Sequence, residues 1–140
     1  MAESNTLQVL ADRGCFVCGT DNPAGLQIQL EVDTENGAAS SRVVLDHRFQ
    51  GWQNVIHGGI LATLLDEVAI YACRSQGEQF VTAEINVRYR KPVPVGSTID
   101  LKGRIIEMRR KLFKVESRIE INGTLHAEAE VRVMRLDSIS

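Results

Sequence analysis

Two features of the sequence could do chemistry, and both lie in one stretch, His57–Arg74, HGGILATLLDEVAIYACR. The first is Asp66. Stepped at about 100° per residue, Ile60, Leu61, Leu64, Leu65, Val68, Tyr71 and Ala72 fill one broad apolar arc, and Ala62, Ala69 and Cys73 extend it. A carboxylate in the middle of so apolar a helix has to be paired, hydrogen-bonded or functional. Its neighbours at helical spacing, Ala62, Thr63, Ala69 and Ile70, include small residues that leave room for a ligand to approach. The second feature is His57-Gly58-Gly59. Two residues without Cβ stand where several backbone N–H groups lack intrahelical partners, at the positive end of the helix dipole. Such an entrance suits an anion or a developing oxyanion.

A distance separates the two. Asp66 follows Gly58 by eight residues, about 12 Å along the axis at roughly 1.5 Å per residue. They cannot both act on one carbonyl carbon from the same chain. If they cooperate, the second member comes from another copy, which favours a homodimer with shared sites. The expected assembly is that homodimer or a dimer of dimers. Glu67 is the rival acid, with bulkier neighbours in Thr63, Leu64, Ile70 and Tyr71, and could instead hold a loop of the partner.

The 140 residues are enough for one domain with a sizeable core. Hydrophobic residues make up 44% and charged residues 24%, as in ordinary globular proteins. A formal net charge of −2 and a pI near 5.9 argue against a general nucleic-acid binder. The opening MAESNTLQVLADRG lacks a basic region followed by an apolar run, so no secretory signal is expected. The longest apolar stretch is the helix, too short to span a bilayer and interrupted by Asp66 and Glu67. Three cysteines in such a chain suggest a reducing, cytoplasmic setting.

The elements around the helix follow from periodicity. Residues 1–14 read as a polar arm, residues 15–136 as the domain and 137–140 as a tail. Cys15–Leu26 is rich in turn formers. Leu26, Ile28, Leu30 and Val32 alternate with Gln27, Gln29 and Glu31 as a half-buried strand. Asn36-Gly37 is a hairpin turn, and Ala38–Leu45 returns as the partner. His47–Ile56 is an irregular loop into the helix. Beyond it, Val81, Ala83, Ile85, Val87 and Tyr89 are expected on one face of a strand, with Thr82, Glu84, Asn86, Arg88 and Arg90 on the other. Lys91–Gly96, with prolines at 92 and 94, ends that strand. Thr98–Met108, Leu112–Ile121 and Thr124–Arg135 are three more strands, the last two joined by Asn122-Gly123. One apolar helix and six largely antiparallel strands form an α+β domain in which a curved sheet wraps the helix.

Cys15 and Cys18 form a CxxC pair, which raises zinc or redox chemistry. No second CxxC exists, and His47 or His126 could complete a site only if folding happened to bring it there. The expectation is packed thiols and no metal. Arg88, Arg90, Lys91 and Arg109-Arg110-Lys111 are basic clusters of the kind usually solvated.

The order of elements, HGG at the helix start and an acid nine residues after the histidine resemble the hotdog-fold thioesterases. Within them the chain is most similar to the subgroup related to phenylacetyl-CoA thioesterases and the small mammalian acyl-CoA thioesterases. Phe49-Gln50-Gly51, His57-Gly58-Gly59, Ala62–Asp66, Thr82-Ala83, Asn86–Pro94 and the opening CFVCGTDNPAGL carry the resemblance. It implies a hotdog fold and hydrolysis of an acyl-CoA thioester. Asp66 would be nucleophile or general base, the Gly58 N–H would polarise the carbonyl, and His57 would orient the site, from opposite protomers. Thr82 would assist the acid or its water, and Arg90 and Lys91 would lie near the CoA. Gly59, Gln53, Asn54 and Glu67 are the remaining candidates for substrate contact. Several relatives carry Asn or Gln six residues before the histidine; here Gly51 stands there, with Gln50, Gln53 and Asn54 nearby. The resemblance implies no cofactor beyond the CoA of the substrate, no nucleic acid and no membrane partner. Two alternatives stand beside it: a dimer that binds acyl-CoA or another small ligand without hydrolysing it, and a hydratase or dehydratase, whose motif is absent.

Overall fold

The computed structural model describes residues 11–136. The arm expected over 1–14 lies outside that range up to residue 10, and the tail at 137–140 lies wholly outside it. Six strands, β1 (Glu31–Asp33), β2 (Ala38–Val44), β3 (Phe80–Tyr89), β4 (Thr98–Met108), β5 (Leu112–Ile121) and β6 (Thr124–Arg135), form one antiparallel sheet. Their spatial order is β1-β2-β4-β5-β6-β3. The helix α1 (Gly58–Cys73) leaves the β2 side and delivers the chain to β3 at the opposite edge, so it crosses the sheet's whole width. This is the hotdog architecture.

Packing explains why the helix lies so close. Leu61, Leu64, Leu65, Val68, Ala69, Ala72 and Cys73 are its buried residues. They meet Ile99 and Leu101 of β4, Val115 and Ile119 of β5, and Val131 and Val133 of β6, all inaccessible to solvent. One row across the sheet is made of small residues instead. Ala39 pairs with Gly103, Gly103 with Ser117, and Ser117 with Ala129. A methyl group on Gly103 would sit 3.0 Å from the Val68 carbonyl oxygen. The buried Ser117 hydroxyl donates to the Leu65 carbonyl at 2.8 Å. The helix backbone therefore rests in a furrow, and the larger side chains on either side of it close around the helix.

Two expectations need correction. The strand foreseen from Leu26 is paired only from Glu31. The amides of Leu26 and Ile28 instead donate to the carbonyls of Phe16 and Val17 at 2.8 and 2.9 Å, so the opening loop takes the hydrogen bonds that β2 would have received. In β3 the simple alternation fails. Thr82 stands opposite Val133 and Glu84 opposite Arg132, leaving Ala83 as an extra residue. This bulge changes the phase of the strand. Phe80 and Thr82, before the bulge, then share the helix-side face with Ile85, Val87 and Tyr89, which stand opposite the inward positions Val131, Ala129 and Ala127.

The furrow leads to a stability prediction. Gly103→Val places branched carbon against the Val68 carbonyl and should cost about 1–3 kcal/mol, as overpacking typically does. Urea denaturation at constant m-value measures it, and an unchanged midpoint would contradict the close helix contact described here.

Candidate active site

His57 caps α1. Its backbone is extended, with φ −59° and ψ 133°, and its ring Nδ1 accepts the Gly59 N–H at 2.9 Å. The His57 carbonyl accepts the N–H groups of Ile60 and Leu61. Among the described residues, the Gly58 N–H donates to no acceptor. Of the two glycine amides, Gly58 thus offers its hydrogen, while Gly59 is engaged by the histidine ring. Gly51 makes room for that ring: a methyl group there would lie 3.2 Å from His57 Cα and 3.3 Å from Cδ2. Gly58 is itself held from the far strand, because the Tyr89 hydroxyl donates to its carbonyl at 2.8 Å.

Asp66 is half-buried two turns further on, facing β3. The Thr82 hydroxyl donates to its Oδ1 at 2.5 Å. That contact exists because the Ala83 bulge brings Thr82 to the helix side. Burial pushes the Asp66 carboxyl above its ordinary value of 3.8, and the Thr82 hydrogen bond offsets part of the rise. A carboxylate that is poorly solvated but not ion-paired is more basic than usual, which suits a general base or a nucleophile.

The other candidates divide. Glu67 points away from Asp66's side of the helix toward the opening loop, where the Cys15 thiol donates to it at 3.7 Å. Asn54 Oδ1 meets His47 Nε2 at 3.2 Å, and its backbone N–H donates to Gln50 Oε1 at 3.1 Å. Both of these amide side chains are therefore tied up within the loop. Gln53 is exposed on the same turn and makes no hydrogen bond among the described residues. Arg90 donates through Nε and Nη2 to Glu128 at 2.9 and 2.7 Å, so its charge is already paired on the sheet, while Lys91 is exposed beside it. Sequence reasoning missed Tyr89, whose hydroxyl fixes the Gly58 peptide. Its position on β3 signals that contact only once the strand's register is known.

The family model described as the thioesterase superfamily matches residues 53–135. The chain belongs to the thioesterase superfamily. The match takes in α1, both halves of the site and β3 to β6. An acyl-coenzyme A thioesterase from Rattus norvegicus, THEM4, is 34% identical over 91 residues, 63% of this chain and 39% of that protein. A 3-hydroxyacyl-(acyl-carrier-protein) dehydratase FabZ from Oleidesulfovibrio alaskensis is 35% identical over 75 residues, 53% of this chain and 46% of its own length. A crystal structure of a thioesterase superfamily protein superimposes with a TM-score of 0.80 at 26% identity, covering 87% of this chain and 60% of that one. The chain spans about two fifths of the length of the curated acyl-CoA thioesterases it matches.

The Asp66–Thr82 pair can be tested without any substrate. Carbon-detected titration should place the Asp66 midpoint above 3.8, and Thr82→Val should move it higher by removing the hydroxyl that favours the anion. A midpoint unmoved by the substitution would deny the hydrogen bond its role. Linkage gives a second outcome. Because the folded-state value is raised, the carboxyl imposes no penalty below the unfolded value, where it is protonated in both states. The penalty grows as pH rises through the unfolded and then the folded value. Asp66→Asn should therefore melt no lower than wild type at pH 7 and show less loss of stability between acid and neutral pH.

Proposed function

We propose that the protein is an acyl-CoA thioester hydrolase that works as a homodimer. The observation that carries this reading is the pairing of an uncommitted amide at the start of α1 with a basic, half-buried carboxylate two turns along it. The two are too far apart to serve one carbonyl from one chain. β3 supplies a way to bring them together. It is an edge strand of ten residues, and a long open edge favours pairing with a second chain. Antiparallel pairing of two β3 edges about Ile85–Asn86 sets the Tyr89–Gly58 end of one protomer against the Thr82–Asp66 end of the other.

In such a site the thioester carbonyl oxygen accepts the Gly58 N–H, supported by the helix dipole. Asp66 of the other protomer either attacks the carbonyl carbon or takes a proton from the water that does. On the water route the tetrahedral intermediate collapses with loss of the CoA thiolate, which takes up the proton that Asp66 removed from the water. On the nucleophilic route the collapse leaves a mixed anhydride on Asp66 that a water then hydrolyses. On either route the products are the free acid and CoA. His57 holds the entrance in shape through its cap, and Thr82 orients the carboxylate. Gln53 and Lys91 are the exposed polar groups available to the substrate's pantetheine and phosphates. The reaction uses no organic cofactor beyond the CoA that the substrate carries. Among the described residues no helix is long and apolar enough to cross a membrane, and the three free cysteines fit a reducing, cytoplasmic setting.

Free-thiol release from a panel of acyl-CoAs tests the reading. Wild type should turn over at least one of them, and Asp66→Asn should lower kcat/KM at least about a hundredfold, as loss of a general base does. Activity of wild type should also rise with pH through the raised Asp66 value. The sharing of the site has its own test. Gly58→Pro removes the amide hydrogen at a position where a helix tolerates proline. Gly58→Pro and Asp66→Asn homodimers should both be inactive. Unfolded and refolded together, they should recover about a quarter of wild-type activity, since half the dimers are mixed and each holds one intact site. No recovery in mixed dimers would mean that each site is built within one chain. The similarity to a dehydratase gives the competing outcome, loss of enoyl absorbance with no thiol released. Binding of acyl-CoA without any turnover would instead mark a ligand-binding dimer.

A further inference from the structure

On the face of α1 turned away from Thr82, the fold assembles a group that the proposed hydrolysis does not use. The donor atoms of Cys15, Cys18 and Glu67 lie within 4.8 Å of one another. We propose that these three side chains bind a soft divalent cation, with zinc the best fit, and that the cation ties the opening loop to α1.

The sequence alone offered only two sulfur donors. The histidines do not supply a third, since His47 meets Asn54 and His126 Nδ1 meets the Pro92 carbonyl at 3.0 Å. The helix supplies it in Glu67, more than fifty residues along the chain. Two thiolates and a carboxylate form a donor set suited to zinc. Tetrahedral coordination needs donor separations of roughly 3.5–4 Å, given metal–sulfur and metal–oxygen distances of about 2.3 and 2.0 Å. The Cys15–Glu67 separation of 3.7 Å already meets this.

The loop is shaped as a thiolate cradle. The backbone N–H groups of Val17 and Cys18 donate to Cys15 Sγ at 3.3 and 3.5 Å, and the Gly19 N–H donates to the Cys15 carbonyl at 2.9 Å. Donors aimed at a sulfur stabilise its anion. A methyl group at Gly19 would fall 2.4 Å from the Cys15 nitrogen and 2.6 Å from the Arg13 carbonyl oxygen, so the turn closes only with glycine. Both cysteines are half-buried, which leaves a route in for an ion.

The surrounding charges favour a cation. Glu67 follows Asp66 directly, and Arg74, whose guanidinium stacks 4.7 Å from the centre of the Tyr71 ring, offsets the negative charge only in part. In the metal-free state the Cys15 thiol donates to Glu67, and a divalent ion takes the place of the thiol protons, which pass to solvent as the metal–sulfur bonds form. A water is available for the fourth position. The inference does not depend on the acyl-CoA reading.

The test uses the full chain, reduced and freed of metal by chelation, then titrated with Co²⁺ alone. A thiolate-to-cobalt charge-transfer band should grow to one equivalent per chain and vanish on adding Zn²⁺, with protons released to a weakly buffered solution. Zn²⁺ should raise the melting temperature of wild type by mass action. Cys15→Ser and Cys18→Ser should abolish the band, and Glu67→Gln should weaken binding by at least about tenfold. Absence of the band in reduced wild type at excess cobalt would overturn the proposal whatever the variants do. So would a band that survives Cys18→Ser, or a Cys15–Cys18 disulfide whose reduction yields no metal uptake.

Discussion

The close seating of α1 in its furrow is the constraint on which the rest of the structure depends. A helix normally stands off a sheet by the length of the side chains between them. Here Gly103 and Ser117 remove that spacing at the point of crossing, and the Ser117 hydroxyl meets the helix backbone itself. Leu64, Leu65 and Val68 then reach past the furrow into the curved sheet, with no exposure to water. Because the helix is fixed at Leu65 and Val68, the residue between them in the carboxylate pair, Asp66, has a fixed depth. Its carboxyl is partly shielded from water at that depth, and the burial raises its basicity.

The same helix separates the two groups of the proposed site. Its first turn offers an N–H and a positive dipole end, and its middle offers a carboxylate. In a helix these lie on a rigid rod, so neither can move toward the other. β3 runs beside the rod and touches both places, through Tyr89 at the carbonyl of Gly58 and through Thr82 at Asp66. The Lys91–Gly96 connection reinforces the arrangement. Its backbone bonds to the preceding loop at Leu45, Asn54 and Ile56 and so fixes the peptide that enters the helix.

Much of this was legible in the residues. Asn36-Gly37 and Asn122-Gly123 turn where their sequences require, with Gly37, Asn122 and Gly123 all at positive φ. The long alternating runs gave β4 to β6 their limits, and the wide apolar arc of α1 announced a wrapped helix. What could not be read were the places where the backbone departs from a simple period. The Ala83 bulge carries no distinctive residue, since alanine is unremarkable in a strand, yet it decides which way Thr82 faces. The early pairing of residues 26–30 depended on competition from a turn-rich loop, and no local pattern ranks two partners for one amide. The meeting of Glu67 with Cys15 joins residues whose nearness is a product of topology alone. Of the two glycine amides, only the cap geometry of His57 shows which one is left open.

The bulge in β3 also bears on how the protein can change over evolutionary time. Between Phe80 and Tyr89 the count of residues fixes both of the strand's contacts with the helix. One residue fewer or more would turn either the hydroxyl away from Asp66 or the phenol away from Gly58, because side chains alternate across a strand. The turns at Arg109–Lys111 and Asn122-Gly123 join strands that neither hydroxyl occupies, and their lengths are free to drift. Homologues should therefore differ in length at those turns while keeping this one strand, bulge included, at constant length.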